Sequence, residues 1–427
     1  MSHSQELTRR QLMQGLGAVV ASATVAAEAR AAQTATRTTA AGLVPYSPAV
    51  LPPGVRSRFV HNINGLTMHV LEAGFEVKGR PAVLLLHGFP ELAYSWRNVM
   101  RPIAAAGYHV IAPDVRGYGR TSGADVRYDD DLAPFRSLNQ VRDMLGLVSA
   151  FGYRSVAAVI GHDQGSPLAG WCAVVRPDVF RSVTMMSAPF GGPPALPFNT
   201  ADAAPATAAA GAPADTIYDE LAALKPPRKH YQRYYTTREA NDNMWHATQG
   251  IHAFLRAYYH MKSADWKQNQ PAPLAARTAS EWAKLPRYYV MDLGKGMAET
   301  VAAEMPTATA IAACKWLPDD DLRVYSTEYG RTGFQGGLEG YRTGPSGRFA
   351  AEQQLFSGRT IDVPSMFIGG KSDWGVRQNA GALERLQTVL CTKMVGTHLV
   401  DGAGHWVQQE QPEVVSALLI EFLRHKP

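Results

Sequence analysis

This 427-residue sequence has few cysteines, no clustered basic residues and no long apolar run. Its three cysteines, Cys172, Cys314 and Cys391, are odd in number and share no metal-ligand spacing, which argues against a disulfide framework or a cysteine metal site. No stretch of about 20 apolar residues is present, so we expect no stable membrane span. The net charge of +5 forms no basic stripe, which argues against a nucleic-acid partner. With 46% hydrophobic and 19% charged residues, the composition is that of a globular protein.

Residues 1–31 have the parts of an export signal. TRRQLM at 8–13 carries adjacent arginines, an apolar stretch of small residues follows, and ARA at 29–31 supplies a cleavage pattern. The adjacent arginines resemble those of the twin-arginine pathway, which exports folded proteins. We therefore expect a periplasmic or secreted protein, with the Ala-, Thr- and Pro-rich residues 32–56 as a linker. The alternative is a disordered or amphipathic tail.

From residue 57 the pattern predicts strands alternating with helices. Asn64-Gly65 separates two strands and is a strong hairpin signal. The alternation predicts an α/β fold, a mostly parallel sheet with helices on both faces and with its chemistry at the carboxyl ends of the strands. The predicted strands are 81–90, 108–113, 155–160 and 183–189, and the helices between them are 91–107, 138–152 and 166–177.

The alternation stops after residue 192 and resumes near residue 356. Residues 193–215 are rich in Pro and Ala and predict a long flexible connection. The following residues contain helical stretches such as 243–262, so we expect 193–355 to form a helical lid inserted over the active edge of the sheet. The core is then made of 57–192 and 356–427, the second part with strands at 362–370 and 392–400 and a helix at 412–425.

Asp163 stands where a strand turns sharply into a helix. It lies in GHDQGSP at 161–167, between Gly161 and Gly165, in the layout of a nucleophile elbow. A carboxylate at this tip can attack an electrophilic carbon and form an alkyl ester. The alternative is an aspartate that caps the next helix. A serine esterase is excluded, because Ser166 lies three residues beyond the tip.

Two further residues follow later strands and complete a catalytic set. Asp373 follows the strand PSMFI, and His405 lies between the last strand and the last helix. The chain order nucleophile, acid and histidine is that of hydrolases, with His405 as general base oriented by Asp373. Taken alone, His405 is better interpreted as a loop histidine and Asp373 as a turn or capping residue, so the prediction rests on their joint placement.

The loop HGFPE at 87–91 follows the first parallel strand, where such folds supply an oxyanion-hole donor. We expect the backbone N–H of Phe89 and that of Gln164 to stabilise the tetrahedral oxyanion formed when water attacks the Asp163 ester. His87 is expected to be a structural hydrogen-bonding residue.

Together these motifs resemble the epoxide hydrolases of the α/β-hydrolase superfamily from about residue 57 to the C-terminus. The motifs are HGFPE, DVRGYGRTS at 114–122, GHDQG, GGKSDWG at 369–375 and GAGHW at 402–406. The resemblance implies an α/β-hydrolase fold with a lid, and conversion of an epoxide to a vicinal diol without a metal or organic cofactor. The aromatic-rich lid favours apolar or aryl epoxides.

The resemblance also implies two lid tyrosines that bind the epoxide oxygen and supply a proton. YQRYY at 231–235 matches one family motif through Tyr231, with Tyr234 or Tyr235 as substitutes. GGLEGYR at 336–342 matches the other through Tyr341. A phenol is a suitable acid here because it is protonated at neutral pH.

Gln164 departs from the family pattern, in which tryptophan commonly follows the nucleophile. Haloalkane dehalogenases share the elbow but use that tryptophan to hold the halide, and fluoroacetate-type enzymes carry arginine there. Glutamine supplies neither group, which argues against both. A dehalogenase remains the alternative enzyme, and a small-molecule binding protein on the same scaffold is the alternative from another class.

Overall fold

The strands form one large mixed sheet and one separate pair. The computed structural model describes residues 42–196, 216–344 and 347–425, and the elements named below lie in the compact unit Val44–Pro427. The strands are β1 (Val55–Ile63), β2 (Leu66–Ala73), β3 (Ala82–Leu86), β4 (His109–Pro113), β5 (Ala158–His162), β6 (Val183–Met186), β7 (Arg228–His230), β8 (Val290–Asp292), β9 (Ser365–Gly370) and β10 (Met394–Val400).

The large sheet has the order β1-β2-β4-β3-β5-β6-β9-β10. The pairs β1/β2 and β2/β4 are antiparallel, and the remaining pairs are parallel. The register places Leu86 opposite Gly161, and Met186 opposite Ile368. The carboxyl ends of neighbouring strands are therefore level, and the loops that follow them converge on one edge of the sheet.

The predicted hairpin is present at the antiparallel edge. Asn64 and Gly65 both have positive φ angles, 49° and 84°, as a two-residue type I′ turn requires. The strands β1 and β2 pair on either side of this turn. The central strand β3 is buried at every residue, which explains its uninterrupted apolar run.

The helices before the lid follow the predicted alternation. They are α1 (Arg97–Ala105), α2 (Ser137–Ala150) and α3 (Gly165–Val175), with short 3-10 turns at Ala93–Trp96 and Ala133–Phe135. Helix α1 packs with the last helix of the chain, whereas α2 packs with α3. These two separate pairs agree with helical layers on both faces of the sheet.

The chain between β6 and β9 forms the inserted helical lid, which confirms the predicted fold class. Its helices are α4 (Ile217–Ala223), α5 (Tyr231–Tyr235), α6 (Glu239–Trp245), α7 (Ile251–Lys262), α8 (Ala279–Trp282), α9 (Met297–Ala302), α10 (Ala308–Ala313), α11 (Asp319–Thr332), α12 (Gln335–Thr343) and α13 (Ala350–Gln353), the last followed by a 3-10 turn at Gln354–Phe356. The predicted helical stretch 243–262 is interrupted, because Gly250 precedes α7 with a φ of 78°. The antiparallel pair β7/β8 within the lid was not expected.

The second part of the core contributes the remaining helices. They are α14 (Ala382–Arg385), α15 (Val407–Glu410) and α16 (Pro412–Arg424), with a 3-10 turn at Trp374–Val376 and a π turn at Leu386–Leu390. The turn at Trp374–Val376 directly follows Asp373, and α15 begins two residues after His405.

The linker prediction for 32–56 is wrong from Val44 onward. Strand β1 already begins at Val55, and the side chains of Tyr46 and Leu51 are buried. The Tyr46 ring packs edge-on against His69 with ring centroids 5.2 Å apart, and this aromatic contact holds the segment on the core. The predicted export signal, the first part of the predicted linker and residues 197–215 of the Pro/Ala-rich stretch lie outside the described residues.

Candidate active site

Asp163 sits at a tight turn between β5 and α3. Its φ of 50° is unusual for a residue with a side chain and costs about 1–2 kcal/mol. A Cβ on Gly161 would overlap the Gly165 carbonyl, and one on Gly165 would overlap the Leu86 carbonyl. The flanking glycines are therefore required by close backbone contact, and they allow the carboxylate to stand at the active edge.

The structure brings together the three residues predicted as nucleophile, acid and base. His405 Nε2 lies 3.3 Å from Asp163 Oδ2, and His405 Nδ1 lies 3.2 Å from both carboxylate oxygens of Asp373. Asp373 Oδ1 also accepts the Gly375 N–H at 2.6 Å, which fixes the acid. Because Asp373 is the acceptor on the Nδ1 side, the neutral His405 ring carries its proton on Nδ1 and presents a basic Nε2.

The two oxygens of Asp163 have different surroundings. Oδ1 accepts the Phe89 N–H at 2.9 Å, as the proposed oxyanion donor requires, whereas Oδ2 faces His405. Gln164 directly precedes α3, so its backbone N–H lies at the N-terminal end of that helix. Donation from this second N–H to Oδ1 stays a prediction.

Asp163 is held in its ionised form. Burial alone would raise the pKa of this carboxyl, but the neighbouring His405, Lys262 and His162 lower it well below its ordinary value. The Asp163 side chain is therefore a carboxylate throughout the neutral pH range.

A buried pair, His162 and Glu91, lies next to Asp163 and connects the elbow with the HGFPE loop. His162 Nδ1 lies 2.6 Å from a Glu91 carboxylate oxygen, and Nε2 lies 2.7 Å from the His405 carbonyl. Both neighbours are acceptors, so both ring nitrogens carry protons and the ring is a cation. Burial alone would lower the pKa of His162, but Glu91 raises it. This pair was not predicted from the sequence, although His162 stands in the motif GHDQG and Glu91 in HGFPE.

His87 has the structural role that the sequence predicted. Its Nδ1 donates to the Gly88 carbonyl at 2.9 Å, and its Nε2 accepts the Val115 N–H at 3.1 Å. Burial lowers the pKa of His87, in agreement with a neutral ring. The two loops that begin at His87 and Asp114 are thereby joined.

Tyr231 and Tyr341 face each other from two lid helices. Their ring centroids are 6.0 Å apart, and both side chains are buried. Burial and the nearby Asp163 charge raise the pKa of both phenols well above the ordinary value. Each hydroxyl is thus protonated at neutral pH and able to donate.

The other two tyrosines of YQRYY have different neighbours. The Tyr234 ring stacks under the Lys229 ammonium at 4.5 Å and lies near Glu239, away from the carboxylate at the elbow. Tyr235 donates its hydroxyl to Tyr258 at 3.2 Å. The Asp163 charge is one of the main causes of the raised pKa of Tyr231, but it is not among the main causes for Tyr234 or Tyr235.

Two polar residues near His405, Lys262 and Glu410, were not recognised from the sequence. Lys262 is buried among aromatic rings, with its ammonium 5.0 Å from the Tyr289 ring centroid, and its carbonyl accepts the His405 N–H at 2.8 Å. Glu410 accepts the backbone N–H groups of Gly404 at 2.9 Å and Trp406 at 2.9 Å. Both residues hold the backbone around His405 by hydrogen bonds.

The described ranges hold neither a candidate metal site nor a candidate membrane span. In 42–196, 216–344 and 347–425, no group of three or more His, Cys, Asp or Glu side chains could hold a metal ion. Over the same ranges, no helix is both long and apolar enough to cross a membrane.

Proteins of known family or structure resemble this chain in sequence and in fold. The family model for the alpha/beta hydrolase fold matches residues 81–412. Epoxide hydrolase B of Mycobacterium tuberculosis is 31% identical over 369 residues, which cover 85% of this chain and 96% of that protein. An epoxide hydrolase of Caballeronia sordidicola is 31% identical over 84% of this chain and 92% of its own length. The solved structure of an epoxide hydrolase from an endophytic Streptomyces has a TM-score of 0.68 at 30% identity, covering 87% of this chain and 96% of the other.

The fold and the matching relatives define an α/β-hydrolase, in which Asp163 is the residue at the elbow. Within that class, the chain belongs to the epoxide hydrolase family.

Proposed function

We propose that this enzyme converts an epoxide to a vicinal diol through an alkyl ester on Asp163. Two observations together carry the proposal: Tyr231 and Tyr341 are a pair of buried phenols whose pKa values are raised by burial and by the nearby Asp163 charge, and Asp163 itself contacts His405 and the Phe89 N–H. An ionised carboxylate attacks carbon, and two neutral phenols bind and protonate the oxygen that leaves.

In the first step a lone pair of Asp163 Oδ2 forms a bond to an epoxide carbon. The ring C–O bond breaks, and its electron pair passes to the ring oxygen, which takes a proton from the Tyr341 or Tyr231 phenol. The products are a hydroxyalkyl ester and a phenolate. Asp163 Oδ1 keeps its hydrogen bond to Phe89 and becomes the ester carbonyl oxygen.

In the second step His405 Nε2 takes a proton from water, and the resulting hydroxide attacks the ester carbon. The Phe89 and Gln164 N–H groups stabilise the negative charge on Oδ1. Collapse releases the alkoxide, which takes the imidazolium proton and leaves as the diol. The proton of the new carboxylic acid returns to the phenolate, so the net reaction adds one water.

The surroundings of the tyrosines favour an apolar or aryl epoxide. The Phe89 ring packs edge-on against Tyr341 at 5.6 Å and Tyr235 at 5.3 Å, and Tyr341 lies 5.0 Å from Tyr235. An aromatic substituent can join this group of rings by edge-to-face packing. No nucleic-acid partner is part of the proposal.

A dehalogenase is the alternative that shares this nucleophile, and one assay separates the two. Purified enzyme is incubated in parallel with styrene oxide and with a 1-bromoalkane of similar size. We expect diol from the epoxide and no bromide release above the enzyme-free rate. Bromide release without diol formation would support the dehalogenase. Binding of the epoxide with neither product would support the binding protein.

We also propose that the enzyme is exported in folded form, on the basis of the adjacent arginines in TRRQLM and the ARA at 29–31. The full-length chain and a variant with Arg9→Lys and Arg10→Lys are expressed and fractionated. We expect processed enzyme outside the cytoplasm for the natural chain and unprocessed enzyme inside for the variant. Equal distribution of the two chains would contradict export by this route.

A further inference from the structure

Helix α12, which carries Tyr341, packs on the core through a face of glycines. A Cβ on Gly336 would overlap the Gly117 carbonyl, and one on Gly337 would lie 2.9 Å from the Tyr118 hydroxyl. A Cβ on Gly340 would lie 2.9 Å from Gln164 Oε1. The helix backbone therefore rests directly on core side chains, and the residue that touches Gln164 immediately precedes Tyr341.

The Gln164 side chain is held in this position by a hydrogen bond within the core. The Tyr118 hydroxyl donates to Gln164 Oε1 at 2.7 Å, and Gln164 Nε2 lies 3.5 Å from the Gly337 carbonyl. The Tyr118 ring in turn packs edge-on against His87 at 4.8 Å. The nucleophile loop is thus connected to the lid helix by a short polar bridge.

The Gln164 side chain also borders a small cavity, which Tyr118, Gln140 and Gly340 line. Two hydrogen bonds, from the Tyr118 hydroxyl to Oε1 and from Nε2 to the Gly337 carbonyl, hold the amide against α12. Loss of the Tyr118 bond removes the shorter of the two, so the side chain on which α12 rests is held less firmly.

We propose that the Gln164 side chain, through its bond to Tyr118, is a positioning residue that sets the place of Tyr341 for protonation of the epoxide oxygen. This role is separate from that of the Gln164 backbone N–H and rests on the function proposed above. Displacement of a catalytic group by about 1 Å can cost up to about a hundredfold in rate. Only the step that uses Tyr341 should be affected.

The test measures ester formation and ester hydrolysis separately, by single-turnover kinetics with styrene oxide. Gln164→Met keeps the length of the side chain and removes its polar atoms, and Tyr118→Phe breaks the same bond from the other side. We expect each change to slow ester formation by about tenfold and to leave ester hydrolysis within about twofold. The control Gln140→Met removes an amide from the wall of the same cavity, where it donates to the Phe135 carbonyl at 2.6 Å, and should leave both steps unchanged.

A second arm places Gln164→Met in a Tyr341→Phe background. If Gln164 acts through Tyr341, the second change has no further effect on ester formation. Equal slowing of both steps, or a full tenfold effect in that background, would overturn the positioning role. If Gln164→Met does not fold, Tyr118→Phe alone decides the outcome by the same criteria. A natural enzyme that forms no ester would overturn the proposed function itself, and that result is visible before any variant is made.

Discussion

The groups that the sheet contributes to the site are two carboxylic side chains and an imidazole held by hydrogen bonds, whereas those of the lid are phenols held by packing. Asp163, Asp373 and His405 each follow a strand and are held by N–H donors or by one another. Tyr231 and Tyr341 stand on short helices and contact mainly other rings. We therefore expect a division of work between the two regions: the residues of the core and of the lid together form the ester, whereas those of the core alone hydrolyse it.

The largest effect is expected from removing the charge of the core nucleophile. Asp163→Asn should lower epoxide turnover by about 10⁴-fold or more, because an amide is a poor nucleophile towards carbon. Turnover is measured by diol formation, with samples followed over time because slow deamidation restores the aspartate. Asp178→Asn, at an exposed aspartate paired with Arg176, is the matched control. Turnover within tenfold of the natural enzyme would contradict a nucleophilic Asp163.

The next effect separates the two steps within the core. His405→Gln should slow ester hydrolysis by about 10²–10⁴-fold, since the general base is lost, while ester formation continues. Intact-protein mass spectrometry should then show the enzyme with one substrate mass added. His61→Gln, at an exposed histidine on β1, is the control. Loss of turnover without accumulation of this adduct would argue against the division of work.

The lid variants should show the opposite pattern. Tyr341→Phe or Tyr231→Phe should slow ester formation by about 10²-fold, because the leaving oxygen loses a proton donor, and should leave ester hydrolysis almost unchanged. Stopped-flow single-turnover kinetics measure both rates. Tyr234→Phe is the matched control from the same helix, since its ring packs under Lys229. Equal slowing of both steps would remove either tyrosine from the donor role.

The smallest effect concerns the stability of the core in acid. Burial alone would raise the pKa of Asp114, but His69 at 2.8 Å and the Arg120 N–H lower it from 3.8 to about 2. A lowered pKa in the folded state adds stability above pH 3.8, and this is lost as the pH falls towards 2, amounting to about 2 kcal/mol. Tm should therefore fall over this range, and Asp114→Asn should reduce the slope. An unchanged slope would contradict the contribution of this carboxylate.

The same contrast explains what could be predicted from the sequence. Asp163 and His405 could be predicted because the sequence pattern places them at the ends of strands, and parallel strands bring such ends to one edge of the sheet. The glycines at 161 and 165 marked the elbow for the same local reason. These features depend on neighbours in sequence or on regular strand pairing.

The roles of the lid tyrosines and the packing of residues 44–54 depend on contacts between residues far apart in the chain, which local sequence patterns do not show. Tyr231, Tyr234 and Tyr235 lie on one short helix, and only their packing distinguishes them. The contact of Gly340 with Gln164 joins residues far apart in the chain. The composition around Tyr46 predicted a linker, whereas in the structure its ring packs on His69. Glu410 was missed because it acts through the backbone N–H groups that it binds, and Glu91 because its partner His162 lies 71 residues away in the chain.

The most direct test of the ester mechanism is a single turnover with excess enzyme in oxygen-18 water. The account predicts that the label enters one carboxylate oxygen of Asp163 and that the first diol released carries none. Peptide mass spectrometry of the segment around Asp163 and analysis of the diol read both products from one sample. Label in the first diol with an unlabelled Asp163 would mean direct attack by water on the epoxide and would contradict the account.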